Sequence, residues 1–244
     1  MANLEKQTEL ILKREGWKIL SGADYKDPVT SKPREKDIVA TRFGLENNDD
    51  IKYVSRLFIE CKELPQETEI YLGDDRVNEI GNFILNYNIS CDVISEIEEH
   101  GKLHFYDYKN IFKIKDGRDD LYKAINQNLQ SFSAFRKDTS EERGIYYLVV
   151  VFDGKVFCKN ENDKIYLENA ILQKETIGNV YGSPNRRYFI ELVSITQFKE
   201  FLDCINLDMQ EIDKAIFFYN DKEKKEMEKK RREIKQDKVD SYGP

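Results

Sequence analysis

Two acidic residues and a lysine, placed on adjacent segments of the chain, form the pattern with the clearest chemistry in this sequence. Asp37 begins one short apolar segment, and Glu60 and Lys62 end the next one. Side chains alternate between the two faces of a β-strand, so Glu60 and Lys62 project to one face and Cys61 to the other. If the two segments pair as a hairpin, we expect two carboxylates and one ammonium to meet at one end of a small sheet.

A group of this kind suits the hydrolysis of a phosphodiester bond. Two carboxylates can hold Mg²⁺ and leave coordination positions for water and a phosphate oxygen. The bound metal lowers the pKa of that water and stabilises the negative charge that develops on the phosphate. Lys62 adds a positive charge that can orient the attacking water or help to deprotonate it. The residues therefore predict a magnesium-dependent site formed by Asp37, Glu60 and Lys62.

Helices and strands predicted from sequence patterns are the framework that must position these residues. Asn3 can cap a helix over 3–15, which Gly16 ends. Residues 21–36 contain Gly22, Pro28 and Pro33, which predicts a loop. The most apolar run, 145–152, is typical of a central strand buried on both faces. The other predicted elements are strands at 17–20, 37–41, 54–62, 103–114 and 188–193, and helices at 75–87, 120–136, 196–205 and from about 208.

The motif and the order of these elements resemble those of the PD-(D/E)xK nuclease superfamily. That family's pattern is an aspartate, often preceded by Pro or Glu, followed after a variable gap by Glu/Asp-x-Lys at the end of a strand. In this sequence the aspartate is Asp37, with Glu35 two residues before it. The second half of the pattern is Glu60-Cys61-Lys62.

The resemblance covers roughly residues 3–62 and 119–152 and implies the α/β restriction-endonuclease-like fold. That fold has an αβββαβ core, in which a mixed central sheet is flanked by helices. We therefore expect a nuclease-like domain over 1–205, with 66–118 as an insertion, and a charged helical C-terminal tail over 206–244.

The resemblance also implies how the site is composed. Mg²⁺, or Mn²⁺ as a substitute, would be held by Asp37, Glu60 and the backbone carbonyl of Cys61. Lys62 would act in catalysis without binding the metal. The family often carries a catalytic glutamate on its first helix, and Glu5 fits that position best.

Two further features leave alternatives open. Some branches of the family carry a glutamine on the helix that follows the third strand, and Gln127 and Gln130 are candidates, or plain surface amides. The aromatic and basic residues of 66–118 would suit substrate contacts beside the active site, or would pack the core of a subdomain.

Composition excludes several classes of function. A net charge of −7 argues against a protein that coats nucleic acid, although it allows a local basic channel. The two histidines, His100 and His104, fit no histidine-based nuclease motif. The four cysteines lack the close spacing of a zinc site and predict uncrosslinked thiols.

The expected function is a metal-dependent DNA endonuclease, and the family implies a role in restriction or anti-phage defence. Two alternatives stay open: a non-catalytic nucleic-acid or protein interaction module, and an RNA-directed nuclease. Cutting both strands favours a homodimer or larger homo-oligomer. The acidic charge suggests control by a partner or an activating ligand. The chain has no apolar run long enough to cross a membrane and no visible secretion signal, so a cytoplasmic location is expected.

Overall fold

The structure is a computed structural model of the 244-residue chain. It describes residues 3–28, 30–44, 53–64, 67–70, 72–76, 87–88, 111–114, 120–138, 144–159, 164–175 and 187–240. Residues 47–50, which the sequence predicts to form a turn, lie outside the described residues, as do both histidines and Cys91.

The described residues contain three helices: α1 (Leu4–Arg14), α2 (Asp120–Asp138) and α3 (Phe198–Asp240). Helix α1 begins as predicted, because the side chain of Asn3 accepts a hydrogen bond of 3.1 Å from the backbone N–H of Lys6. It ends before Gly16, whose φ of 80° lies in the left-handed region that glycine tolerates. None of the described helices is long and apolar enough to span a membrane.

The strands form two sheets. In the larger, mixed sheet the order is β1-β2-β3-β8-β12-β11-β7-β5, with β6 also paired to β8, and in the smaller sheet it is β10-β9-β4. The first three strands form an antiparallel meander, and β3 continues into a parallel pair with β8. The strands are β1 (Lys18–Lys26), β2 (Pro33–Gly44), β3 (Tyr53–Glu63), β4 (Thr68–Ile70), β5 (Leu72–Arg76), β6 (Tyr87–Asn88), β7 (Ile111–Ile114), β8 (Gly144–Asp153), β9 (Val156–Lys159), β10 (Lys164–Leu167), β11 (Asn169–Glu175) and β12 (Arg187–Ser194).

Each face of the larger sheet carries its own apolar core. Helices α1 and α3 cover one face, and α2 covers the other. Strand β8 supplies both cores, because alternate side chains point to opposite faces: Ile145, Tyr147, Val149 and Val151 to the first, and Tyr146, Leu148, Val150 and Phe152 to the second. This confirms the predicted central strand and the α/β class with a mixed sheet between helices.

The loop predicted over 21–36 is too long at both ends. Strand β1 continues to Lys26, and β2 already begins at Pro33, paired with Lys26. Most side chains of this extension are exposed or half-buried, so it lacks the apolar alternation that marks a strand in sequence. Gly22 lies within β1 with a φ of 61°, a left-handed conformation that glycine adopts without strain.

Helix α3 runs through the predicted boundary between the domain at 1–205 and the tail at 206–244. Met209, Ile212, Ala215 and Ile216 are buried in the core that also contains α1. The side chains of 222–232, in contrast, are all exposed. The part of α3 that ends at Ile216 therefore packs as core, Tyr219 packs against its edge, and the continuously exposed part of the helix begins at Lys222.

The described parts of segment 66–118 differ in position: β4 closely follows the end of β3 and joins the smaller sheet, whereas β5, β6 and β7 lie away from the end of β3. Strands β5 and β7 form the far edge of the larger sheet, with β8, β12 and β11 between them and β3. Strand β6 pairs with the first two residues of β8. Leu72–Arg76 and Tyr87–Asn88 are strands, so the helix predicted at 75–87 is wrong at both of its ends. These strands offer no support for placing the segment at the active site.

Candidate active site

Strands β2 and β3 part at the position where the sequence places the acidic pair. Their ladder ends at the pair Ile38↔Ile59, while β2 stays paired with β1 and β3 stays paired with β8. Asp37 and Glu60 are the next residues on each strand. Beyond the ladder, the Cys61 N–H donates a hydrogen bond of 2.7 Å to Oδ2 of Asp37. The Asp37 side chain thus bridges the gap that opens between the two strands.

The carboxyl groups of Asp37 and Glu60 lie close enough to interact. Burial raises the pKa of Glu60 from its ordinary value of 4.5 to about 7. The nearby Lys36 ammonium opposes that shift, whereas Asp37 adds to it through its like charge and a hydrogen bond between the two carboxyls. Strand alternation and the predicted hairpin had led us to expect this pair, and the structure brings the two groups together.

Lys36 is the residue that the sequence analysis missed. Its Nζ lies 2.7 Å from Oε1 of Glu60, and its side chain is fully buried. Burial lowers the pKa of Lys36, and the carboxylates of Glu60 and then Asp37 oppose that shift. On a regular strand, Lys36 and Asp37 would point to opposite faces. Because β2 has left its ladder with β3, Asp37 reaches sideways to the backbone of β3 while Lys36 reaches Glu60.

The Lys62 side chain extends towards the first residue of α2. Its Nζ is 4.0 Å from Oδ1 of Asp120, at the first residue of α2, and its side chain is a third exposed. Asp120 is held more closely by Lys123, at 2.9 Å. Lys62 therefore faces solvent near the start of α2, where it can meet a substrate, whereas Lys36 serves the carboxylates.

Glu5 lies on the first turn of α1 and is half-buried. Burial raises its pKa, and the negative charges of Asp37, Glu9 and Glu35 raise it further. This places the Glu5 carboxylate within electrostatic range of Asp37. Together, Glu5, Asp37 and Glu60 outnumber the single buried cation, Lys36, so the site has an excess of negative charge when all are ionised.

The oxygen atoms at the strand gap fit a hard divalent cation. The thiol of Cys61 points away, with Sγ 3.6 Å from Oγ1 of Thr8, and burial raises its pKa, which keeps it from acting as a thiolate ligand. The N–H and C=O of one strand residue point to the same side, so the Cys61 carbonyl faces the gap along with its N–H. Two carboxylates and a carbonyl are donors that Mg²⁺ prefers. Within the described ranges, no cluster of three or more His, Cys, Asp or Glu side chains is placed to hold a metal, so the third ligand would come from the backbone.

Asn128, on α2, fixes the position of β3 behind the site. Its Nδ2 donates to the carbonyl of Phe58 at 3.0 Å and to that of Val149 at 2.7 Å, and the side chain is fully buried. Phe58 stands two residues before Glu60 on β3. The two candidate glutamines, Gln127 and Gln130, are only half-buried on the same helix. The amide that contacts the strands of the site is therefore Asn128, which the sequence analysis did not single out.

Comparisons with protein-family models, with curated proteins and with solved structures found no match. The case for a function therefore rests on the geometry of this site and on the motif that it contains.

Proposed function

We propose that the protein is a divalent-metal-dependent nuclease with a restriction-endonuclease-like fold, and that it hydrolyses phosphodiester bonds, with DNA as the expected substrate. The observation that carries the proposal is the interaction between the Asp37 and Glu60 carboxyls where β2 and β3 part, beside the buried Lys36. Interacting acids and a lysine with a lowered pKa are the groups that metal-assisted hydrolysis needs.

The arrangement of elements supports the proposed fold. With β4 to β7 set aside as the proposed insertion, the order α1, β1, β2, β3, α2, β8 follows the αβββαβ order that the family resemblance implies. Strands β1, β2, β3 and β8 are consecutive neighbours in the sheet, and α1 and α2 lie on opposite faces. The acidic pair lies at the end of β3, where the Glu-x-Lys half of the family motif belongs.

Asp37, Glu60 and the Cys61 carbonyl would hold Mg²⁺, which supplies a Lewis acid and lowers the pKa of bound water. The lowered pKa of Lys36 favours loss of its own proton to solvent, after which the neutral Nζ would accept a proton from the attacking water. Lys62, which is partly exposed, contributes a positive charge towards the phosphate. Lys36 and Lys62 would thus share the two tasks, proton transfer and charge stabilisation, that the family motif assigns to its single lysine.

A homodimer would supply the second site that cleavage of both strands needs. Restriction or anti-phage defence is the role that the family resemblance implies for such an enzyme. A partner protein or a ligand would control when it cleaves.

A non-catalytic nucleic-acid or protein interaction module is the second candidate. The observation in its favour is the ion pair between Lys36 and Glu60, which already places a cation against the carboxyl pair. If the ammonium keeps that position permanently, the pair is structural, and the surface around it serves only for binding.

Cleavage of supercoiled plasmid and of single-stranded RNA, with Mg²⁺, with Mn²⁺ and with EDTA, separates these candidates. We expect metal-dependent cleavage that Asp37→Ala abolishes. Glu168→Ala is the matched control, because it removes an exposed acid from the loop between β10 and β11. Cleavage of RNA alone identifies an RNA-directed nuclease. If neither substrate is cut and Asp37→Ala binds DNA as the wild type does, the nuclease proposal fails.

A further inference from the structure

A cavity of about 670 Å³ lies between the sheet face formed by β1–β3 and helix α2. Its apolar part includes Leu20 and Val39 from the strands and Ala134 from the helix. Three aromatic side chains, Tyr25, Phe58 and Phe135, line it as well. A volume of this size lies within the range of small-molecule sites. The aromatic walls fit a flat ring system better than a flexible chain.

The cavity also carries an excess of positive charge. Lys18, Lys26 and Arg56 line it, together with Lys36, which is already paired with Glu60, against two acids, Asp24 and Asp27. Asp27 is engaged by Arg34, at 3.4 Å, and by the backbone N–H of Thr30, at 3.0 Å. In a chain with a net charge of −7, this local excess of cations indicates a site for an anion.

Arg56 is held in place for such a role. Its Nε donates to Oγ1 of Thr41 at 3.2 Å, and its guanidinium carbon lies 4.5 Å from the centre of the Phe135 ring. A guanidinium fixed in this way loses little conformational entropy when it binds a phosphate, and its planar donors match phosphate oxygens. The same stacked pair places an aromatic ring and a cation side by side on one wall.

We propose that this cavity binds one nucleotide, with the base against Tyr25 and Phe135 and the phosphate at Arg56 and Lys18. Lys36 lines the cavity and also bonds Glu60, so an occupant contacts the side chain that serves the carboxyl pair. The nucleotide is either a free mononucleotide or one nucleotide unstacked from a bound strand. Only the strand source rests on the proposed nuclease function.

Free nucleotides are tested by titration calorimetry with the four deoxynucleoside monophosphates, the matching nucleosides and inorganic phosphate. We expect at least one monophosphate to bind at a 1:1 ratio and more tightly than its nucleoside. Arg56→Gln should remove that difference. Ala134→Trp, which fills the cavity without removing an aromatic, should weaken binding about tenfold or more. Phe217→Ala, on the exposed face of α3, is the control and should bind as the wild type does.

The strand source is tested with single-stranded DNA that carries 2-aminopurine, whose fluorescence rises when the base leaves its stack. Asp37→Ala is used without metal, so that cleavage plays no part. A rise with Asp37→Ala that is lost in the double variant with Ala134→Trp assigns the cavity to a strand nucleotide. Equal affinity for nucleosides and monophosphates, or the absence of both the calorimetric and the fluorescence signals, overturns the proposal. Neither of these results bears on the nuclease proposal, which plasmid cleavage tests separately.

Discussion

The ammonium of Lys36 lies 2.7 Å from Oε1 of Glu60, and both side chains are buried. A buried ion pair is a weak source of stability, because the loss of hydration offsets most of the attraction between the charges. Burial moves the two pKa values towards each other, downwards for Lys36 and upwards for Glu60. Groups perturbed in this way are typical of sites that transfer protons.

The first prediction separates the roles of the two lysines. Lys36→Met should lower the cleavage rate about 100-fold or more, because the group that exchanges protons beside Glu60 is lost. The same variant should bind Mn²⁺ more tightly, since a competing cation has been removed. Lys62→Met should lower the rate less and leave Mn²⁺ affinity unchanged. Single-turnover cleavage and titration calorimetry measure both effects.

Lys123→Met is the control for the lysine variants, because Lys123 is exposed and pairs with Asp120 as Lys62 does. It should behave as the wild type. If Lys62→Met is inactive and Lys36→Met still cleaves, then Lys62, the lysine of the Glu-x-Lys motif, is the catalytic lysine and Lys36 is not.

The second prediction concerns the pH dependence of stability in the absence of metal. The pKa of Glu60 is about 7 in the folded protein, above its ordinary value of 4.5, so folding favours the protonated carboxyl. This contribution is fully present below about pH 4.5 and is lost as the pH rises to about 7. Relative to the wild type, Glu60→Gln should therefore gain about 1–3 kcal/mol of unfolding free energy between pH 5 and pH 7.5.

Urea unfolding in EDTA at the two pH values measures this gain. Glu168→Gln, which changes an exposed acid, should show no such pH-dependent difference from the wild type. A constant difference between wild type and Glu60→Gln at both pH values would mean that the Glu60 carboxyl titrates normally.

The sequence was enough to predict the acidic pair, because strand alternation and a hairpin bring Asp37 and Glu60 together whatever surrounds them. Lys36 could not be predicted in the same way. Its approach to Glu60 depends on the position at which β2 leaves its ladder with β3, and that position is set by tertiary packing. Adjacent residues on a strand normally face opposite sides, so the pattern pointed away from Lys36.

In helix α3, the sequence pattern was present but was interpreted incorrectly. Ile205, Met209, Ile212 and Ile216 are spaced by four, three and four residues, which is the spacing of a buried helix face. The highly charged stretch that follows led us to treat the helix from 206 onwards as a tail. If the apolar spacing had been considered separately from the charged stretch, the boundary between core and tail would have been placed after Ile216.

The third prediction tests that boundary. A chain that ends at residue 220 should keep the melting temperature of the full-length protein within about 2 °C, because the side chains of 222–232 are exposed and contribute little. Ile212→Ala should instead cost about 2–5 kcal/mol, since it opens a cavity in the core beneath α3. Phe217→Ala, one turn further on and exposed, is the matched control. Thermal unfolding followed by circular dichroism measures all three, and a large loss in the shortened chain would show that the end of α3 is packed.

The fourth prediction concerns Asn128, which ties α2 to the two central strands behind the site. Asn128→Leu removes the donors to the Phe58 and Val149 carbonyls while nearly preserving volume, and should cost about 1–3 kcal/mol of unfolding free energy. Because Phe58 precedes Glu60 by two residues, loosening of β3 should also weaken the binding of Mn²⁺ at the site.

Gln130→Leu is the control, because Gln130 is a half-buried amide on the same helix, and it should change stability by less than about 0.5 kcal/mol. Urea unfolding and calorimetry with Mn²⁺ on both variants decide between them. If Gln130→Leu impairs cleavage and Asn128→Leu does not, the glutamine implied by the family resemblance is the functional amide, and the contacts of Asn128 serve packing alone.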